Sequence, residues 1–142
     1  MIYVDTSSLL KLVLPDACSV QVDLALSLEK EVAVSLLTEL EVGVQIKAQY
    51  RGGRISEARA VRIGGVLAHI LAQDPFIRKN LAGSVFNTAL VQHEMSTVHC
   101  RSLDRLHLAA MEQLGLKRLM THDTRQAEAA REMGYEVVSP GL

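Results

Sequence analysis

Excess positive charge is missing from this sequence. Fifteen lysines and arginines stand against 16 acids, for a formal net charge of −1, so no global field marks a passive nucleic-acid binder, which needs an extended basic footprint. An enzyme is excluded less, because bound metal ions supply positive charge locally. Only two cysteines occur, Cys18 and Cys100, far apart and in no metal-ligand spacing; they read as apolar fillers in a reducing compartment. No apolar run reaches transmembrane length, and Asp5 interrupts what would otherwise begin a signal segment. The expected location is the cytoplasm, with no membrane partner. No repeat, low-complexity stretch or linker divides the chain, so one domain over residues 1–142 is expected. With 49% hydrophobic and 22% charged residues, the composition is that of a folded chain.

The patterning alternates short apolar runs with helical stretches. Ile2 to Val4 reads as a buried strand, and Asp5-Thr6-Ser7-Ser8 offers caps to a short helix that Pro15 ends. A helix is expected from Cys18 to Leu28 and a strand at Val32 to Val34. Ser35 then opens a helix with Leu36, Leu37, Leu40, Val44 and Ala48 on one stripe, broken at Gly52-Gly53. A further helix is expected to Gln73. Asp74-Pro75 reads as a cap with proline in the first turn of the next helix, which runs to Met95. Those two helices are expected to pack as a hairpin. Ser102 caps a helix through Leu114. Arg118 to Thr121 is a strand, Thr124 to Met133 a helix closed by Gly134, and Glu136 to Val138 a last strand. Strands joined by helical crossovers predict an α/β fold with a short, mostly parallel central sheet covered by helices on both faces.

Two acids directly follow strands in this reading, Asp5 and Asp123. Ligands of open parallel sheets bind outside the carboxyl ends of the strands, so both are site candidates. Aspartate is also a favoured N-cap, which explains each equally well taken alone. Asp104 has a helix-dipole explanation of its own. Glu41 and Glu39 flank opposite edges of the apolar stripe of their helix, and periodicity does not choose between them.

Four segments in order carry a resemblance: Tyr3-Val4-Asp5-Thr6-Ser7, Val34 to Glu41, Ser102-Leu103-Asp104-Arg105-Leu106-His107-Leu108-Ala109-Ala110, and Thr121-His122-Asp123 followed by Ala129-Ala130 and Gly134. Together they resemble the motifs of PIN-domain nucleases, and the size is most similar to the toxin half of toxin–antitoxin pairs (VapC-like proteins). The resemblance implies a three-layer fold and a metal-dependent endoribonuclease. It also implies a site of Asp5, Glu41, Asp104 and Asp123, Glu41 standing six residues after Ser35. A cognate antitoxin and a homodimer are implied in the same way. The motifs hardly touch the helical middle of the chain.

The chemistry agrees with the residue types. Two carboxylates ~4 Å apart repel by about 4 kcal/mol at an effective dielectric of about 20, so a cluster of four needs protons or cations. Oxygen donors without cysteine or clustered histidine favour Mg²⁺, with Mn²⁺ as substitute. His107 and His122 lie near the acids and read as packing or supporting groups. Thr6, Ser7 and Thr121 carry hydroxyls able to hold ligands or waters, or equally to cap. Lys47, Arg51, Arg54, Arg59 and Arg62 against the single Glu57 offer RNA phosphates a landing surface, with Lys47, Arg51 and Arg54 the named candidates. The same run reads as a solvated face, or as a contact for an acidic inhibitor tail. Rival readings are an inactive PIN-like interaction module, a related nuclease acting on DNA, and a phosphatase using Asp5 as nucleophile. The last needs a second aspartate where Ser7 stands.

Overall fold

A computed structural model describes residues 1–142. Five short strands, β1 (Ile2–Val4), β2 (Val32–Ser35), β3 (Phe76–Lys79), β4 (Arg118–Met120) and β5 (Glu136–Val138), form one sheet in the order β3-β2-β1-β4-β5. Every pairing is parallel. The helices are α1 (Thr6–Leu9, continued by a 3-10 turn at Leu10–Leu12), α2 (Ser19–Ser27), α3 (Leu36–Arg51), α4 (Glu57–Leu71), α5 (Val85–Met95), α6 (Ser102–Gln113) and α7 (Thr124–Glu132).

The central strands β1 and β2 are buried at every position because both faces are covered, as parallel sheets require, whereas charged residues appear on the flanking strands at Arg78, Lys79, Arg118 and Glu136. Side-chain alternation divides them between two cores. Ile2, Val4, Val32, Val34 and Met120 pack with Leu9, Val22, Val42, Ile46 and Leu67 from the first four helices. Tyr3, Ala33 and Leu119 pack with Ala89, Leu108, Met111 and Ala130 from the last three. The result is three layers, helices on sheet on helices. From β1 the chain winds outward through β2 to β3, then crosses back to add β4 and β5 on the other side. The strand order therefore reverses between β1 and β4, which opens a crevice at their carboxyl ends.

The middle of the chain corrects the sequence reading. Residues after Asp74-Pro75 do not start a helix; Phe76 to Lys79 pair with the free edge of β2 along its whole length. The strand is half exposed and lacks a clean alternation, so only the unpaired edge beside it selects the extended form. With β3 inserted, α4 and α5 pack on opposite faces of the sheet rather than as a hairpin. The stripe expected to face the core on α3 is also reversed. Thr38, Val42 and Ile46 are buried there, whereas Leu36, Leu40 and Val44 are exposed. Finally, Arg101 and not Ser102 holds the cap position of α6; its backbone N–H is accepted by the Asp104 carboxylate at 3.2 Å.

Candidate active site

The crevice at the sheet's carboxyl end is a cleft of about 340 Å³ whose walls include Asp5, Glu41, Asp104 and Asp123. Each acid arrives from a different element. Asp5 ends β1 and caps α1, accepting the Ser8 N–H at 3.0 Å. Asp123 follows β4 and caps α7, accepting the Gln126 N–H at 2.9 Å. Glu41 sits in the first half of α3, and Asp104 in the first turn of α6. Capping and cleft membership are thus not alternatives: both residues cap a helix through Oδ1, while Oδ2 of Asp123 faces Arg101 across the cleft and Oδ2 of Asp5 accepts from Ser7 and Thr121 at its floor.

Asp5 is buried and accepts from Ser7 Oγ at 2.9 and 2.8 Å and from Thr121 Oγ1 at 2.7 Å. Burial raises its pKa above the ordinary 3.8, against the pull of nearby His107 and of the hydroxyl and backbone donors. Ser7 Oγ also accepts the His122 N–H at 2.7 Å, and Thr121 Oγ1 accepts that of Asp123 at 3.0 Å, so these two hydroxyls tie β1 to β4 beneath the acids. His122 is turned away, its Nδ1 at 2.9 Å from Ser8 Oγ and its Nε2 at 2.9 Å from the Pro140 carbonyl.

The two glutamates part company. Glu39 forms a two-pronged pair with Arg78 of β3 at 2.7 and 2.7 Å on the outer surface. Glu41 faces the cleft. Its Oε2 accepts from Thr6 Oγ1 at 2.7 Å and from His107 Nε2 at 2.5 Å, leaving Oε1 without a protein donor. A carboxylate only accepts, so His107 Nε2 carries a proton, and on the far side of the ring Nδ1 lies 2.8 Å from the Tyr3 hydroxyl. Tyr3 also contacts Ser35 Oγ at 2.7 Å, and burial pushes its phenol up to about 12, so it stays neutral. Burial alone would raise the Glu41 pKa, yet the bonds from His107 and Thr6 outweigh it and hold the carboxyl below its usual range. His107, 2% exposed, is therefore the orienting partner of a site acid. Its sequence signal was the helical spacing of three from Asp104.

Arg101 is the residue sequence reasoning missed. Its Nε lies 2.9 Å from Asp104 Oδ2 and its Nη2 2.8 Å from Asp123 Oδ2, so one guanidinium joins two of the four acids. With those two carboxylates turned toward Arg101 and Glu41 held by His107, no three Asp, Glu, His or Cys side chains stand in ligating array. The donor chemistry still fits a hard divalent cation: four carboxylates, no thiolate, and a cationic group already seated between two of them. Lys47, Arg51 and Arg54 are exposed and line no part of this cleft. Lys47 lies over the Tyr50 ring at 4.8 Å, and Arg59 and Arg62 border a separate groove beside Leu12 and Val13.

The sequence pattern of the PIN domain family matches residues 2–132. The chain belongs to the PIN domain family. Two curated relatives from Mycobacterium tuberculosis align with this PIN domain over nearly their full lengths. Ribonuclease VapC47 is 30% identical, covering 99% of this chain and 98% of its own. Ribonuclease VapC35 is 33% identical with the same coverage, 99% and 98%. Among solved structures, Mycobacterium tuberculosis VapC20, described as a Sarcin-Ricin loop cleaving toxin, superposes with a TM-score of 0.72 at 21% identity, covering 99% of this chain and 100% of that one. A toxin–antitoxin complex from Klebsiella pneumoniae gives 0.69 at 19% identity, with coverage of 99% and 98%. These structural likenesses bear on the fold, in which the PIN domain's three layers recur.

Proposed function

We propose that this PIN domain is a metal-dependent endoribonuclease, the toxin of a toxin–antitoxin pair, acting in the cytoplasm as one nuclease domain over the whole chain. The observation that carries the reading is the convergence of Asp5, Glu41, Asp104 and Asp123 from four separate elements on one cleft. The kinship with ribonucleases VapC47 and VapC35 over 99% of the chain supplies the substrate class.

Asp5, Asp104 and Asp123 would hold the cation, Mg²⁺ or Mn²⁺, with Glu41 beside it. Bound there, a divalent ion supplies Lewis-acid polarisation and lowers the pKa of a coordinated water. The chain's own residues do the rest. Glu41, fixed by Thr6 and His107, presents Oε1 to accept a proton from an attacking water. Ser7 and Thr121 keep the Asp5 carboxylate at one setting, which limits the reorganisation needed when charge develops on phosphorus. Arg101, its side chain 75% exposed at the rim, would reach a phosphate if Asp104 and Asp123 held the cation. Lys47 and Arg51, further along the helix that carries Glu41, and Arg54 just beyond its end, serve as outer phosphate contacts.

Two unpartnered apolar faces support the protein partners. Leu36, Leu40 and Val44 on α3 suit a second copy of the chain, and Val20 and Leu24 on α2 with Leu28 at its C-cap suit an amphipathic antitoxin helix. The deciding experiment is cleavage of a mixed RNA pool by purified protein with Mg²⁺ or Mn²⁺, then with chelator, beside Asp104→Asn. Metal-dependent cuts absent from the variant are expected. Equal cutting by both proteins, or none from either, would refute the reading.

A further inference from the structure

A second pocket adjoins the acid cleft. It occupies about 600 Å³ between α5 and the start of α6, and shares Arg101 and Ser102 with the cleft as a common wall. Its volume lies in the ~300–1,000 Å³ range of ligand pockets. Three features set it apart. Its lining carries Arg101, Arg105, His93 and His99 and no aspartate or glutamate. Phe86, one of only two phenylalanines in the chain, stands 61% exposed on its wall with Leu90 beside it. Arg105 is 4% exposed yet forms no ion pair; its Nη2 donates to the Val98 carbonyl at 3.1 Å, its Nη1 meets only the Met133 sulfur, and its buried Nε has no partner.

A buried guanidinium without a carboxylate is costly unless an anion joins it. An exposed ring beside such an anion site is the combination that binds single-stranded nucleic acid, where bases stack on aromatic faces and arginines track phosphates. The pocket also shares its Arg101–Ser102 wall with the acid cleft, so a strand leaving the cleft past Arg101 would enter it. We propose that it is the subsite for the nucleotide next to the scissile phosphate of single-stranded RNA, the base stacking on Phe86 and the adjoining phosphate meeting Arg101 and Arg105. The subsite rests on the ribonuclease reading and assigns the residues that select the sequence cut.

Phe86→Ala tests it, because an exposed side chain can be removed without loss of folding. In an Asp104→Asn background, fluorescein-labelled oligoadenylate and oligouridylate should bind on the order of 5- to 100-fold more weakly to the alanine variant, as a lost stacking contact dictates. Phe86→Tyr should keep wild-type affinity. In the cleaving protein, sequencing the cut ends of a mixed pool should show the flanking-nucleotide preference flattened by Phe86→Ala, with KM rising more than kcat falls. Wild-type affinity and an unchanged preference in the alanine variant would overturn the subsite. A fall to monomer mass with RNA binding intact would make the pocket an interface between copies. Loss of binding to a labelled acidic peptide alone would make it a peptide site, and either result overturns the proposal. If the wild type itself cuts nothing, the ribonuclease reading fails separately, and the affinity measurements still judge the pocket.

Discussion

Replacing Arg101 with glutamine isolates the internal cation of the site. The guanidinium bridges Asp104 at 2.9 Å and Asp123 at 2.8 Å, which leaves those carboxylates roughly 6 Å apart by the span of one guanidinium. At that separation two charges repel by about 3 kcal/mol at an effective dielectric of ~20, and by under ~1 kcal/mol in water. The side chain of Arg101 is 75% exposed while those of Asp104 and Asp123 are 11% and 25% exposed, so solvent screening places each ion pair at about 0.2–1 kcal/mol. Arg101→Gln should therefore cost about 0.4–2 kcal/mol in chelator for the two pairs together, lowering the melting temperature by roughly 1–7 °C. A divalent cation no longer has to displace the guanidinium and relieves the carboxylate repulsion instead. Calorimetric titration with Mn²⁺ should find binding about 2- to 30-fold tighter in Arg101→Gln than in wild type. Arg101→Lys, which keeps the charge but not the fork, should fall between them. Weaker or unchanged Mn²⁺ affinity in the glutamine variant would refute the idea that Arg101 holds the cation's place.

Other expectations follow from the buried network. His107→Leu keeps bulk but removes the bonds to Glu41 and Tyr3, which together contribute roughly 2–4 kcal/mol; a melting curve superimposable on wild type would show the network to be idle. Asp5 has a folded pKa raised above 3.8 by burial, so the folded state binds the extra proton and stability in chelator should decline as pH climbs above the ordinary aspartate value. Asp5→Asn should abolish cleavage yet melt higher than wild type at neutral pH without metal, and a lower melting temperature would contradict the burial argument. Glu41 has the opposite sign. Its contribution is present above the unfolded value and fades as pH falls through the depressed folded one, a slope that Glu41→Gln should remove from acid-unfolding curves.

Much of the architecture is legible in the sequence. Apolar runs of three or four residues between amphipathic stretches announce a parallel sheet, because strands buried on both faces cannot alternate in polarity. The same patterning placed Asp5 and Asp123 at strand ends, where chain order alone puts a crevice. Four spaced motifs brought in Glu41 and Asp104. Tertiary structure decided what local patterns do not encode. Phe76 to Lys79 are a strand only because β2 offers an unpaired edge. The apolar stripe of α3 faces outward because Thr38 and Val42, not Leu40 and Val44, meet the sheet, and Thr38 donates to the buried Val4 carbonyl at 3.3 Å. The choice of Glu41 over Glu39 came from what each could reach, His107 and Thr6 inside or Arg78 outside. Arg101 lies 22 residues from Asp123, a separation no periodicity spans. Sequence by itself determined which residues carry charge and which strands they follow; only the folded chain decided which charges share a cleft, because that depends on distances between elements and not along them.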